Sequence, residues 1–201
     1  MNKADRHVAQ HGAACLSIVN HHQEIGMACD GLRYVRMTTE DDVRSIIGPF
    51  HEIFWEEPNY DGKDFFDSVN GTSEFPFIEY FKVMLGEDCI GFCGLYSENS
   101  DEVWLGWFGV RPAFRRRGYA RQMLRMLVDR SRAMGYRFVR VYTDKVIDNN
   151  AYRMYLGEGF EEDSTCGYDF VTMVKSLTGE VPAKWSGTPC GFESEPPHHF
   201  Q

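Results

Sequence analysis

No run of apolar residues in this sequence approaches the roughly 20 that a membrane-spanning helix requires, so an integral membrane protein is not expected. The first residues, with Asp5, His7, Gln10 and His11, hold no apolar secretory core, and a cytoplasmic location is expected. Six cysteines occur (Cys15, Cys29, Cys89, Cys93, Cys166 and Cys190), and no two form a C-x-x-C pair. Without a secretion signal, reduced thiols are expected rather than a disulfide framework. His7, His11, His21 and His22 lack partnering cysteines or carboxylates at metal-ligand spacing, so no metal site is expected. Two common phosphate loops are also missing: there is no G-x-x-x-x-G-K-S/T and no G-x-G-x-x-G, which excludes a P-loop and a Rossmann fingerprint.

What is present is an ordinary globular composition, 43% hydrophobic and 25% charged over 201 residues, enough for one core and one domain. The net charge of −9 conceals a segregation. Between residues 111 and 140 stand ten arginines and a single acid, Asp129. An overall acidic chain argues against nucleic acid as partner. The distribution suits a polyanionic cofactor at the arginine segment and a cationic substrate facing acidic surface. Solvated helical arginines are the plainer alternative, expected for Arg125 and Arg132.

Periodicity orders the chain. Leu32 to Met37 reads as a strand. Thr39 offers a helix N-cap followed by Glu40, Asp41 and Asp42, and Val43, Ile46, Ile47, Phe50 and Phe54 continue at helical spacing. Pro49 is expected to kink or split that helix. Lys63 to Val69 reads as a second helix ended by Asn70-Gly71. Phe77 to Leu85, Cys89 to Ser97 and Glu102 to Val110 read as an antiparallel meander. An amphipathic helix from Tyr119 to about Met134 follows, with Ala120, Leu124, Leu127, Val128 and Met134 on one face and Gly135 closing it. Phe138 to Thr143 reads as a strand parallel to the previous one. A short helix spans about Asn150 to Leu156, and Tyr168 to Lys175 is a last strand, preceded by a weak one near Phe160.

The segment Val110-Arg111-Pro112-Ala113-Phe114-Arg115-Arg116-Arg117-Gly118-Tyr119-Ala120 joins a strand to a helix through three consecutive arginines and a glycine. Unpaired N–H groups at a helix start, with the macrodipole behind them, form an anion site. Residues 115 to 120 fit Arg/Gln-x-x-Gly-x-Gly/Ala. This resembles the acyl-CoA-binding motif of the GNAT superfamily of N-acyltransferases. Asn150-Ala151-Tyr152-Arg153-Met154-Tyr155, closed by Gly159-Phe160, resembles that family's second signature. The resemblance covers about Leu32 to Leu177, leaving residues 1–31 as an N-terminal extension, mobile or helical, and 178–201 as a tail in which Trp185 and Phe192 could dock.

The resemblance implies an α/β fold: a mixed, largely antiparallel sheet with helices on both faces. Its fourth and fifth strands, here Glu102 to Val110 and Phe138 to Thr143, splay apart. It implies acetyl-CoA as cosubstrate, held by backbone N–H groups and side chains of Arg115, Arg116, Arg117, Gly118, Tyr119 and Ala120, by the strand end Phe108, Gly109 and Val110, and by Asn149. Asn149 and Asn150 follow Asp148, which stands where the family usually has asparagine. A bulge near Gly106 and Gly109 would free an N–H to polarise the thioester, the alternative being packing beside Trp104 and Trp107. Tyr155 matches the family tyrosine that protonates the leaving thiolate, with Tyr152 as the competing tyrosine. The family's glutamate base is replaced by Trp104. Glu102, two residues earlier on the same strand face, is the candidate base, with Glu79 and Asp144 as rivals.

Trp55, Glu56, Glu57 and Tyr60, with Asp61, Asp64, Phe65, Phe66 and Asp67 beyond, make an acidic, aromatic acceptor side suited to a small cationic amine. A peptide or protein amine is the alternative substrate, and a non-catalytic acyl-CoA sensor the alternative of another class. No membrane partner is expected, and a homodimer stays open.

Overall fold

The computed structural model describes residues 24–25, 31–145, 149–166 and 170–184. One sheet runs through it: β1 (Glu24–Ile25), β2 (Leu32–Arg36), β3 (Phe77–Leu85), β4 (Asp88–Ser97), β5 (Glu102–Leu105), β6 (Gly109–Val110), β7 (Phe138–Asp144), β8 (Glu161–Cys166) and β9 (Phe170–Ser176). The spatial order is β1-β2-β3-β4-β5-β7-β9-β8, with β6 paired to β4. All pairings are antiparallel except β5 with β7, which is parallel. Helices α1 (Glu40–Ile53) and α2 (Lys63–Asn70) cover one face, and α3 (Tyr119–Ala133) and α4 (Asn149–Gly157) the other. This is the expected α/β arrangement. No helix among the described residues is long and apolar enough to cross a membrane.

Thr39 caps α1 through a reciprocal box: its hydroxyl accepts from the Asp42 N–H at 3.2 Å, and the Asp42 carboxylate accepts from the Thr39 N–H at 3.1 Å. The helix continues through Pro49 rather than splitting there. Proline costs a helix interior about 3 kcal/mol. Val43, Ile46, Phe50 and Ile53 are fully buried on the inward face. At ~1.5–3 kcal/mol each, that burial outweighs the cost. The carbonyl left without its partner belongs to exposed Ser45, where solvent can satisfy it.

Two further expectations change. Helix α3 buries Met123 and Met126 beside Leu124, Leu127 and Val128, while Met134 is its C-cap and stands 40% exposed. The sheet also reaches into the expected N-terminal extension, since Glu24 and Ile25 pair with Val35 and Tyr34. Trp185, Phe192 and the N-terminal histidines lie outside the described residues.

The change that matters most is in the expected strand from Glu102 to Val110, which is two strands. Leu105 pairs with Leu95, and Gly109 pairs with Phe92. Residues 106–108 therefore face only residues 93 and 94, which is a β-bulge of one extra residue. Gly106 N–H still reaches Gly94 O at 3.0 Å. On the other side, β5 pairs with β7 only as far as Trp104 and Arg140. Beyond that pair the two strands part, and the sheet opens into a cleft.

Candidate active site

The β6 edge, the turn after it, the start of α3 and α4 line a cavity of about 390 Å³. Its wall contains Phe108, Gly109 and Val110 from the strand edge, and Arg115, Arg116, Gly118, Tyr119 and Ala120 from the turn and helix start. Tyr155 closes it from α4. These residues, distant in sequence, are brought together.

The strand edge is oriented by ladder alternation. Arg111 N–H donates to Ile90 O at 2.8 Å, so the hydrogen-bonded pairs are those at 90/111 and 92/109. The N–H groups of Phe108 and Val110 therefore point away from β4, into the cleft. Among the described residues no backbone carbonyl accepts from the Phe108 N–H. Packing fixes the path of this edge as well: a side chain at Gly109 would run into Ile53, and one at Gly91 into the Gly109 carbonyl.

The turn adds a second set of donors. Arg116 holds φ 64°, a left-handed conformation that disfavours a long side chain, and Gly118 holds φ 83° at the N-cap of α3. Left-handed residues at a helix start turn successive N–H groups toward one point, a concavity suited to an anion. The strain at Arg116 is maintained at a site of convergent donors, the usual place for it. A Cβ on Gly118 would meet nothing within 4 Å, so the space before it is open.

The arginine surplus is mostly cancelled in space. Arg111 pairs with Glu52, Arg121 and Arg125 with Glu158, Arg130 with Glu79, Arg132 with Asp129, Arg137 with Asp101 and Glu180, and Arg140 with Glu102 and Asp163. Among the described residues, Arg115, Arg116 and Arg117 are the three of the ten with no carboxylate partner. Arg115 Nε donates to Val110 O at 2.9 Å and braces the turn against β6. Arg116 Nη1 donates to Asn150 Oδ1 at 3.2 Å, spanning from the turn to α4. Arg117 turns back to Ala113 O and is not part of the cavity wall.

The two tyrosines of α4 are separated by the geometry. Tyr155 is 1% exposed, packs on Phe160 with ring centroids 5.6 Å apart and lines the cavity. Tyr152 donates to Glu162 beside β8 and lies under Lys145. Asn149 opens α4, the Asn150 side chain lines the cavity, and Asp148 and the Asn149 side chain lie outside what the structure describes. Phe114, Arg121, Ala151 and Met154 also line the cavity and were not anticipated. Ala151 and Met154 flank Tyr155 on its helix, at four residues and one residue before it.

The candidate bases are not brought to the cavity. Glu102 accepts from Arg140 Nε at 2.5 Å, and Arg140, 3% exposed, also holds Asp163. Glu79, 1% exposed, is bound by Arg130. Both carboxylates are engaged by arginines, and neither lines the cavity. Asp144 is 3% exposed on β7 and is not among the lining residues. Cys89 and Cys93 are free thiols that burial pushes above their ordinary range, which makes both weak nucleophiles.

The acceptor candidates follow α1, and Tyr60 packs in the cluster that holds Trp107. Trp55 is 64% exposed. Glu56 and Glu57 are half-buried, and Glu56 Oε1 is buried with no hydrogen-bond partner among the described residues. Tyr60 stacks on Phe50 at 4.4 Å and meets Trp107 at 5.0 Å. None of the four lines the cavity.

The model of the acetyltransferase (GNAT) family matches residues 40–160, more than half of the chain, from the start of α1 through α4. The chain belongs to the GNAT acetyltransferase family. Solved GNAT structures share the fold at low identity. An acetyltransferase from Thermus thermophilus has a TM-score of 0.61 at 17% identity, covering 73% of this chain and 97% of its own. Spermidine N-acetyltransferase from Vibrio cholerae, in complex with CoA and spermine, gives 0.58 at 18%, covering 73% and 95%. Arabidopsis thaliana NAA60, in complex with a bisubstrate analogue, gives 0.56 at 19%, covering 73% and 99%. No curated protein is significantly similar in sequence.

Acetyl-CoA is the cosubstrate expected of this family, and the residues present fit it. The Phe108–Val110 edge offers backbone groups to an amide-bearing arm, and the donors around Arg116 and Gly118 suit phosphate. Tyr155 shares the cavity wall with the Phe108–Val110 strand edge, and no carboxylate or thiol is among the lining residues.

Proposed function

We propose that this protein is an N-acetyltransferase that moves the acetyl group of acetyl-CoA to a primary amine of a small cationic acceptor. The observation that carries the reading is the convergence of the β6 edge, the arginine turn and Tyr155 on one cavity. Acetyl-CoA supplies an acetyl thioester. The Phe108 N–H polarises its carbonyl oxygen as negative charge develops there. The acceptor nitrogen forms the new C–N bond directly, and the C–S bond breaks. Tyr155 gives its phenolic proton to the departing sulfur. Neither Cys89 nor Cys93 lines the cavity, which supports direct attack over a covalent intermediate on either thiol. With Glu102 and Glu79 bound to arginines, the amine enters as its neutral form and its proton leaves to solvent.

A cationic acceptor is supported by Glu56, Glu57 and the exposed Trp55, where an ammonium tail would find both carboxylate and aromatic surface. A peptide or protein amine is the second reading. Thiol release from acetyl-CoA, measured over a panel of polyamines, aminoglycosides, amino-acid amides and short peptides, tests the proposal. Turnover with a small polycation is expected. Turnover confined to peptides would move the acceptor class to the second reading. Tight acetyl-CoA binding without turnover on any amine would make the protein a sensor.

A further inference from the structure

A bulge has fewer ladder bonds than the strands beside it, yet the direction of the Phe108 N–H depends on it. What holds this one is Trp107. Its backbone N–H donates to the hydroxyl of Tyr80, a residue 3% exposed on β3. Gly106 lies against that same hydroxyl, so closely that a Cβ there would sit 3.0 Å from it. The Trp107 indole N–H donates to Asp64 Oδ2 at 2.9 Å. The ring is wedged between Phe50 at 5.0 Å and Phe54 at 5.1 Å. Asp64 is itself held, because its Oδ2 accepts from the Tyr60 hydroxyl at 3.0 Å. Trp107 packs with the cluster under α1 and α2, while its neighbour Phe108 packs with the cluster under α3 and α4. Fixing the first side chain fixes the rotation of the peptide between them, and that peptide carries the Phe108 N–H.

We propose that Asp64 is a positioning residue for acetyl transfer, acting through the Trp107 indole to hold the bulge and aim the Phe108 N–H at the thioester carbonyl. The proposal rests on the reading of Phe108 as the carbonyl donor. Asp64 never touches the acetyl group. It is 43 residues from Trp107 in sequence and reaches it from the first turn of α2.

Three variants test this. Asp64→Leu removes every acceptor, Trp107→Phe removes the indole N–H, and Asp64→Asn keeps a carbonyl oxygen for the indole while losing the charge. A charge-on-helix role for Asp64 would be lost equally in Asp64→Asn and Asp64→Leu, whereas the clamp survives in the first. The readouts are kcat, the acetyl-CoA Kd and the infrared carbonyl band of bound acetyl-CoA labelled with ¹³C at the carbonyl. Deleting an oxyanion donor outright costs about 10²–10³ in kcat, so misaiming one should cost on the order of 10-fold or more. The expected result is that loss in Asp64→Leu and Trp107→Phe, a smaller carbonyl shift than wild type, an almost unchanged Kd, and recovery of most of both signals in Asp64→Asn. The double variant Asp64→Leu/Trp107→Phe should be no worse than either single one, because both break the same bond. A wild-type carbonyl shift and kcat in Asp64→Leu would overturn the clamp and leave the Phe108 reading intact. Equal losses in Asp64→Asn and Asp64→Leu would also overturn it. No carbonyl shift in the wild-type protein would remove the Phe108 donor and the proposal with it.

Discussion

Replacing Tyr155 with phenylalanine removes one oxygen atom from a side chain that is 1% exposed and leaves its ring against Phe160. The packing is conserved, so the cost to the fold is limited to a hydrogen bond worth about 1 kcal/mol net. The cost to catalysis is of another order. Loss of a general acid lowers rates by about 10²–10⁴, or roughly 3–5 kcal/mol of barrier. The two effects therefore separate in one experiment: kcat by single-turnover thiol release, fold by thermal melting, and cosubstrate affinity by calorimetry. Tyr152→Phe is the internal control. It makes the same chemical change on the same helix, but its hydroxyl bonds Glu162 rather than facing the cavity. The expected outcome is a large kcat loss in Tyr155→Phe with near-native melting and Kd, and little change in Tyr152→Phe. A Tyr155→Phe protein that transfers acetyl at the wild-type rate would refute the role of the hydroxyl. Equal losses in both variants would assign the effect to helix packing.

Other outcomes follow from the same geometry. Glu102→Gln should lower the melting temperature, because Arg140 is buried and keeps Asp163 alone to balance it, while kcat falls by no more than a few-fold; a loss on the order of 10² would restore Glu102 as the base. Glu56→Lys/Glu57→Lys should raise KM for a cationic acceptor and leave the acetyl-CoA Kd nearly alone, as judged by steady-state kinetics and calorimetry. Asp42 resists ionisation through partial burial, but hydrogen bonds from Lys82, Thr38 and Thr39 outweigh this and hold its pKa below the ordinary 3.8. A lowered folded pKa adds stability that is fully present above the unfolded value and is lost as pH falls through the folded one. Asp42→Asn should therefore reduce the melting temperature at pH 7, and the gap from wild type should close as pH drops below about 3.8.

Local signals carried much of this structure. Thr39 and its acids marked the start of α1, Gly71 and Gly135 marked two helix ends, and the bounds of β3 followed from its apolar run between turns. The cavity turn was legible because its features are contiguous: arginines, a glycine and a helix start in one segment. Tertiary effects were not legible. Pro49 inside α1 is tolerated because the burial of Val43, Ile46, Phe50 and Ile53 outweighs its cost. The arginine run looked like a cofactor patch, yet seven of the ten side chains meet carboxylates, most of them far away in sequence, which only the fold reveals. Strand period put Glu102 and Trp104 on one face, and the structure agrees. The parallel register then sets Arg140 opposite Trp104 on that face, where it takes the Glu102 carboxylate. The bulge was foreshadowed by Gly106 and Gly109, but the Trp107–Asp64 bond that holds it joins two segments no local pattern connects.

In the proposed function, the concavity around Arg116 and Gly118 takes the phosphates of acetyl-CoA. Calorimetric titration of wild type and Gly118→Asp tests it directly. The added carboxylate would stand in the open space before a left-handed N-cap, where the anion must sit. Wild type should bind with an affinity that falls as salt is raised, and Gly118→Asp should lose at least about 10-fold of it, a penalty of roughly 1.4 kcal/mol or more. A folded Gly118→Asp protein that binds acetyl-CoA as tightly as wild type would contradict it.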